Sequence, residues 1–178
     1  MNFYTEDALV EQPALALLGQ LGWETADCFD ETFGTEGTLG RETKSEVVLL
    51  SRLRPALEKL NPELPPEALN LAIEELLRDR SLMSVVEANH EVYDLLKDGV
   101  RVAYRNMEGV ETVESVKVID WENPKNNDFF MTSQFWITGE MYTRRTDLLG
   151  FVQRAAAAVH RTESQSQTSE ERLRWQPT

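Results

Sequence analysis

The sequence predicts an α/β fold in which helices come first and a mixed sheet is built from the later residues. Helical periodicity between residues 45 and 97 and strand-like alternation over Phe129–Thr138 support this prediction. The composition then changes abruptly after Val152. A chain of 178 residues is long enough for one domain with a buried core and a tail. We therefore predict a folded body over residues 1–152 and a divergent, disordered tail over residues 153–178.

The first predicted element is a helix near the N-terminus. Thr5 is a candidate N-cap, and apolar residues at helical spacing continue until the chain reaches Gly22. Pro13 should kink this helix or restart it, because proline has no backbone N–H to donate within a helix. A polar loop that contains glycine is predicted over about residues 27–40.

Three more helices are predicted between residues 45 and 97. The first starts at Ser45 and has a helical period, Pro65 and Pro66 open the second, and Ser84 caps the third. Their polar faces carry no cluster of catalytic residue types. We interpret the three helices as a packed insertion in the domain.

Four strands are predicted after these helices. Val100–Arg105 and residues 113–121 are rich in β-forming residues and are separated by a turn. Turn-forming residues at 123–127 predict a hairpin that joins the second strand to the third, Phe129–Thr138. The fourth strand is predicted to start at about Asp147, which would place an acidic residue at the head of a strand.

The formal net charge of −13 argues against broad, nonspecific adhesion of this chain to DNA or to anionic membranes. Residues 148–178 contain four arginines and three glutamates, a net charge of +1, so residues 1–147 carry −14. Carboxylate-rich sites can still bind divalent cations. Cys28 is the single cysteine, and the sequence has neither a signal-peptide pattern nor the roughly 20 consecutive apolar residues of a membrane span. These features predict a cytoplasmic protein in which Cys28 is a loop or core thiol.

Five stretches of the sequence occur in the same order as in a known family. They are residues 2–12, 37–44, 76–79, 118–124 and 127–140. Through them, the chain resembles the N-terminus of the R subunit of type I restriction enzymes over residues 1 to about 152. The resemblance implies an α/β nuclease fold of the PD-(D/E)xK restriction-endonuclease type, with a mixed sheet flanked by helices.

The same resemblance implies a cofactor and partners. In the family, this region precedes two helicase-like motor domains that use ATP to translocate DNA. No Gly-x-x-x-x-Gly-Lys-[Ser/Thr] phosphate loop occurs in the 178 residues, so ATP binding is expected only of the full-length family subunit. The implied cofactor of the nuclease region is Mg²⁺. The implied partners are DNA and the methylation and specificity subunits of a type I restriction-modification complex.

The family motif also implies a particular active site. An Asp on one strand and a Glu on the next hold Mg²⁺, which polarises the scissile phosphate and activates water, and a Lys two residues after the Glu orients that water. Asp147 matches the catalytic Asp and metal ligand, although Thr146 replaces the family's proline. A glutamate on the first helix also faces the family's site. Glu11 matches it best, Glu6 is the runner-up, and an ordinary solvated glutamate is the alternative.

The second half of the motif is missing from the sequence. Glu-x-Lys, on an apolar strand, is expected roughly a dozen residues after Asp147. Residues 161–164 read Arg-Thr-Glu-Ser instead, and no lysine follows Asp147. Residues 42–44 read Glu-Thr-Lys but lie in an earlier loop, so we interpret that match as chance. We therefore expect an incomplete sheet, a marginal fold and no catalysis by this chain alone, and a truncated or frameshifted gene would account for the change after residue 152.

Other residues give weaker signals. Tyr142, Arg144 and Arg145 precede the fourth strand and are candidate contacts to DNA phosphates. Exposed arginines in an acidic protein are as often plain solubilising charge, so both interpretations stay open. Trp121 and Trp136 are predicted to pack in the core. The alanine-rich start of the tail suggests a short helix.

Two functions from different classes remain. The chain is either the endonuclease domain of a restriction R subunit or a non-enzymatic, acidic remnant that docks on restriction-modification subunits. The missing Glu-x-Lys favours the remnant for this molecule, whereas the resemblance favours the endonuclease for its ancestry.

Overall fold

The computed structural model describes residues 7–106, 108–139, 142–153 and 155–160, and these residues form a mixed α/β fold. A π-helical turn at Asp7–Glu11 leads into the first helix. The helices are α1 (Gln12–Gln20), α2 (Leu50–Leu60), α3 (Pro66–Leu77) and α4 (Val85–Asp98). The strands are β1 (Glu24–Asp27), β2 (Val100–Arg105), β3 (Glu111–Val116), β4 (Phe129–Thr138), β5 (Thr143–Val152) and β6 (Ala155–His160).

The helices follow the local signals of the sequence, with one exception. Pro13 restarts the first helix, because it lies in the first turn of α1 directly after the π-helical turn. The cap predicted at Ser84 is present and is a capping box, since Ser84 accepts from the backbone N–H of Glu87 and the Glu87 carboxylate accepts in return. The exception is α2, which begins at Leu50 and not at Ser45. Thr5, the predicted cap of the first helix, lies outside the described residues.

The strands form two sheets. One has the order β1-β4-β5-β6, with β1 parallel to β4 and the other neighbours antiparallel, and the other contains β2 and β3. The predicted hairpin between the second and third strands is therefore wrong, because β3 and β4 belong to different sheets. The segment between β3 and β4 instead forms hydrogen bonds within itself. The Asp120 carboxylate accepts from the backbone N–H of Asn123 and from the Asn126 amide, while the Asn127 side chain bonds the backbone of Asp120.

A strand follows β5, which corrects two expectations from the sequence. The backbone of β6 pairs with β5 in the register Leu148↔His160 to Val152↔Ala155, with an irregularity at Gly150 and Phe151. The expected helix at the start of the tail and the expected absence of a strand beside β5 are thus both wrong. The high helix propensity of alanine is a weak preference, and the open edge of β5 offers backbone hydrogen bonds that override it. Residues 161–178 lie outside the described part, so the domain boundary at 152 stays a prediction.

Two hydrophobic clusters form the core. One joins α2 and α3 to β2 and β3 and is centred on residues such as Leu57, Ala72 and Val100. The other lies on the four-stranded sheet and is centred on Phe130 and Phe151. The predicted helical insertion thus packs on its own two-stranded sheet, while the four-stranded sheet carries the candidate site.

Two further observations concern the surface. Trp121 is 59% exposed, so its predicted core position is wrong, while Trp136 is half-buried on β4. No helix among the described residues is long and apolar enough to cross a lipid bilayer.

Candidate functional site

Asp147 lies within a strand, not at its head. β5 begins at Thr143, so the predicted strand start at Asp147 is wrong by four residues. The neighbours Thr146 and Leu148 are buried, and Asp147 itself is half-buried. The Thr146 hydroxyl donates to the backbone carbonyl of Phe135 on β4, 3.2 Å away. Asp147 is therefore held in a well-packed sheet, although its own ladder position is unusual.

Gln134 on β4 lies across from Asp147 and interrupts the ladder. The residue pairs between β4 and β5 run from Ser133↔Leu148 directly to Phe135↔Thr146, which leaves Gln134 opposite Asp147 without a regular pair. Gln134 has a φ of 57°, in the left-handed region that side chains other than glycine rarely adopt. Such conformations cost about 1–3 kcal/mol and persist where surrounding contacts enforce them.

Glu11 supplies one such contact. It is the last residue of the π-helical turn, and its side chain is only 5% exposed. The Glu11 carboxylate accepts a hydrogen bond from the Gln134 amide at 2.7 Å. The two acidic residues predicted from the sequence thus lie on either side of β4 residue Gln134, which bonds Glu11 and is opposite Asp147 in the ladder.

The types of side chain near the candidate site determine which metal ion could bind there. In the described part of the chain, no group of three or more His, Cys, Asp or Glu side chains is arranged to hold a metal ion. Mg²⁺ does not require such a group, since it commonly binds one or two carboxylates and completes its shell with water and substrate phosphates. Glu11 and Asp147 carry carboxylate oxygens, the hard type of oxygen that Mg²⁺ prefers. Glu6, the alternative to Glu11, lies outside the described residues.

Sequence reasoning missed two residues that shape this region. Gln134 was hidden because Phe129–Thr138 alternates like an ordinary strand, and a left-handed residue leaves no mark in that pattern. Arg41 was missed because arginines rarely lie in a core, yet it is 1% exposed. The available signals were its position directly after Gly40, at the end of the predicted loop, and its place in the matched stretch 37–44.

Arg41 organises the loop that precedes α2. Its guanidinium donates to both carboxylate oxygens of Glu31, at 2.6 and 2.5 Å, and to the backbone carbonyls of Lys44 and Glu46. The same group lies 3.9 Å from the centroid of the Phe135 ring. The loop is therefore anchored to β4 at the residue directly after Gln134.

Cys28 is a core thiol and not a candidate nucleophile. It is fully buried at the end of β1 and belongs to the cluster of Phe130 and Phe151. Burial, with a smaller contribution from the Glu31 carboxylate, raises the pKa of Cys28 from 9.0 to about 12. The thiol therefore stays protonated at neutral pH, which disfavours nucleophilic chemistry.

The three predicted DNA contacts are separated by the strand geometry. Arg144 and Arg145 are both exposed, but neighbouring residues in a strand point to opposite faces. Arg144 lies over the ring of exposed Tyr142, with 5.9 Å from its guanidinium carbon to the ring centroid. Arg145 lies over the rings of Phe29 and Trp136, at 5.3 and 5.5 Å. Arg145 lies two residues before Asp147 on β5.

Comparisons with known proteins place these features in a family. Residues 3–164 match the family model described as "Type I restriction enzyme R protein N terminus". The chain is 35% identical over 144 residues to the type I restriction enzyme HindI endonuclease subunit of Haemophilus influenzae, an alignment that covers 80% of this chain and 13% of that relative. It is 28% identical over 162 residues to the putative type I restriction enzyme MjaIXP endonuclease subunit of Methanocaldococcus jannaschii, covering 86% of this chain and 15% of that relative.

The matched region is longer than the predicted domain but much shorter than the curated relatives. The family match reaches residue 164, beyond the boundary predicted at 152, and therefore includes β6. The chain spans only a small fraction of the length of the curated relatives that it matches.

Proposed function

Because the chain belongs to the family of type I restriction enzyme R protein N termini, we propose that it is the nuclease-derived region of a DNA-restriction subunit, with a PD-(D/E)xK fold. The observation that carries this proposal is the position of Gln134, which bonds Glu11 and lies opposite Asp147 on the neighbouring strand. Two acidic residues from distant parts of the sequence are brought to neighbouring structural elements, and both match acidic positions of the family motif.

The cofactor proposed for this site is Mg²⁺. Asp147 and Glu11 would be its protein ligands, and Gln134 would orient the Glu11 carboxylate through the 2.7 Å hydrogen bond. When bound, Mg²⁺ polarises the scissile phosphate and lowers the pKa of a bound water. The chain's own contribution is to place two oxygen ligands in a partly buried site, where a cation offsets their negative charges.

We propose further that this chain does not cleave DNA alone. No Glu-x-Lys follows Asp147, so both the second strand ligand and the lysine that orients water in the family motif are absent from the sequence. With Glu11 and Asp147 as the remaining ligands, metal binding would be weak, and no lysine of the expected position would offset the charge of the attacked phosphate.

Plasmid cleavage and metal binding test these two parts separately. We expect no Mg²⁺-dependent nicking of supercoiled plasmid by the wild type, and nicking that is lost in Asp147→Ala would refute the proposed inactivity. Direct titration with Mn²⁺, monitored by electron paramagnetic resonance, should show binding that Asp147→Ala and Glu11→Gln both weaken. Equal Mn²⁺ binding by the wild type and both variants would refute the proposed site.

The second candidate function is a non-enzymatic acidic module. The missing Glu-x-Lys and the net charge of −13 favour it. In this proposal the chain docks on the methylation or specificity subunit of a type I complex without cutting DNA, and the full-length subunit alone uses ATP. Co-purification of the chain with coexpressed methylation and specificity subunits would support docking, and separate elution of all components would argue against it.

A further inference from the structure

A small group of cations near the candidate site lacks carboxylate partners. Lys44 and Arg145 come from different elements and lie over the ring of Trp136, at 4.4 and 5.5 Å from its centroid. Neither cation forms an ion pair within the described part of the chain. In a protein with a net charge of −13, two neighbouring cations without carboxylate partners are unexpected.

Two acidic side chains of the loop that contains Lys44 have other partners. Glu31 is held by the guanidinium of Arg41. Glu46 accepts from the backbone N–H of Glu42 and from the hydroxyl of Thr43. These two carboxylates are thus engaged within their own loop, so the positive charges of Lys44 and Arg145 remain available to an external anion.

The aromatic rings orient the two cations. Arg145 is placed between Phe29 and Trp136, which come from the loop after β1 and from β4. Trp136 is also the cross-strand partner of Arg145 in the sheet. Lys44 is fixed independently, because its backbone carbonyl accepts from the N–H of Thr138 at 3.0 Å. Cation–ring contacts hold a charge in place without neutralising it.

From this geometry we propose that Lys44 and Arg145, supported by Phe29 and Trp136, form a phosphate-binding cluster for the DNA backbone. This inference rests on the proposed function, and it extends that function by assigning Lys44. Because Arg145 lies only two residues before Asp147 on β5, the cluster would hold a phosphate near the candidate metal site. Lysine and arginine are suited to such contacts, which position the duplex without reading its sequence.

Of the three DNA contacts predicted from the sequence, the cluster includes only Arg145. Arg144 lies over Tyr142 and not over Trp136, so neither Arg144 nor Tyr142 is part of the cluster. Arg144 is therefore a matched control: it has the same charge as Arg145, it is the adjacent residue, and it is also exposed to solvent.

The test is DNA binding by the full chain in EDTA, which makes the result independent of the metal site. A short fluorescent DNA duplex is titrated by anisotropy at several low KCl concentrations for the wild type, Lys44→Ala, Arg145→Ala and Arg144→Ala. Each cluster substitution should lower the magnitude of the slope of log K against log [KCl] by about 1, the value for one lost phosphate contact. Arg144→Ala should leave the slope unchanged.

A distant control separates the cluster from net charge. Lys97→Ala removes a lysine that lies over Tyr93 on α4, 6.0 Å from the ring centroid, and should also leave the slope unchanged. The inference is overturned if the wild type does not bind the duplex at low salt, if all four variants change the slope equally, or if an acidic peptide binds in place of DNA. Urea midpoints of all variants check that the fold is retained. Loss of metal binding with intact DNA binding would contradict the proposed nuclease site and leave the cluster standing.

Discussion

Glu11 and Gln134 should be strongly coupled in their contributions to the free energy of unfolding, because a hydrogen bond joins their side chains. The perturbation is a double-mutant cycle that consists of Glu11→Ala, Gln134→Ala and the double variant. Glu11 is 5% exposed and accepts from the Gln134 amide at 2.7 Å, so the bond involves an ionisable group that is shielded from water. Hydrogen bonds to charged groups contribute about 1.5–3 kcal/mol. We therefore expect a coupling energy of about 2 kcal/mol.

The backbone conformation of Gln134 adds a second, separable contribution. Its φ of 57° is strained for any residue except glycine. Gln134→Ala keeps that strain and loses the hydrogen bond, whereas Gln134→Gly loses the bond and relieves the strain. The glycine variant should therefore be more stable than the alanine variant by about 1 kcal/mol.

Urea unfolding monitored by tryptophan fluorescence measures both quantities. The unfolding free energies of the four cycle members give the coupling, and the comparison of the Gly and Ala variants gives the strain. A coupling energy within error of zero would show that the bond does not hold Glu11 beside β4. The proposed metal site, which needs Glu11 next to the strand pair that carries Asp147, would then fail. A glycine variant less stable than the alanine variant would refute the account of the backbone.

Three further predictions follow from other parts of the structure. Arg41→Met should lower the unfolding free energy in urea by about 4 kcal/mol, because it leaves the Glu31 carboxylate buried and unpaired, and the added substitution Glu31→Leu should recover most of that loss. Because the pKa of Cys28 rises from 9.0 to about 12 on folding, the folded state binds this proton more tightly; its stabilising effect is complete below pH 9 and is lost as the pH rises toward 12. The stability of the wild type relative to Cys28→Ala should fall over that range, and parallel pH profiles would contradict this. Ser84→Ala should destabilise the protein by about 1 kcal/mol and speed amide exchange in the first turn of α4, and unchanged exchange would argue against the capping box.

The elements that were predicted correctly are those whose signals are local. The cap at Ser84, the proline at the start of α3 and the β-rich composition of β2 are each signals within a few neighbouring residues. The elements that were missed depend on distant partners. β1 has the polar sequence Glu-Thr-Ala-Asp, and it is a strand because it pairs in parallel with β4, about a hundred residues later. β6 is alanine-rich and is a strand because β5 offers it an edge.

Some residues of the candidate site could likewise be selected from the sequence, and others could not. Asp147 and Glu11 could be selected from the sequence because they match acidic positions of a family motif. Gln134 could not, because its role depends on a left-handed backbone inside a strand and on a contact with a residue more than a hundred positions away. Lys44 was dismissed for a related reason. Its Glu-x-Lys pattern precedes Asp147, and only the folded loop brings its side chain over Trp136.

The balance of charge at this site separates DNA binding from DNA cleavage. A divalent cation would offset the two carboxylates of Glu11 and Asp147, but a bound phosphate brings additional negative charge that the family motif offsets with its lysine. Lys44 and Arg145 can attract that phosphate, because electrostatic attraction requires only a nearby positive charge. Orienting a water molecule for attack requires a donor within hydrogen-bond distance of it, and both cations are instead held over aromatic rings. The chain should therefore bind DNA even if, as we propose, it does not cleave DNA alone.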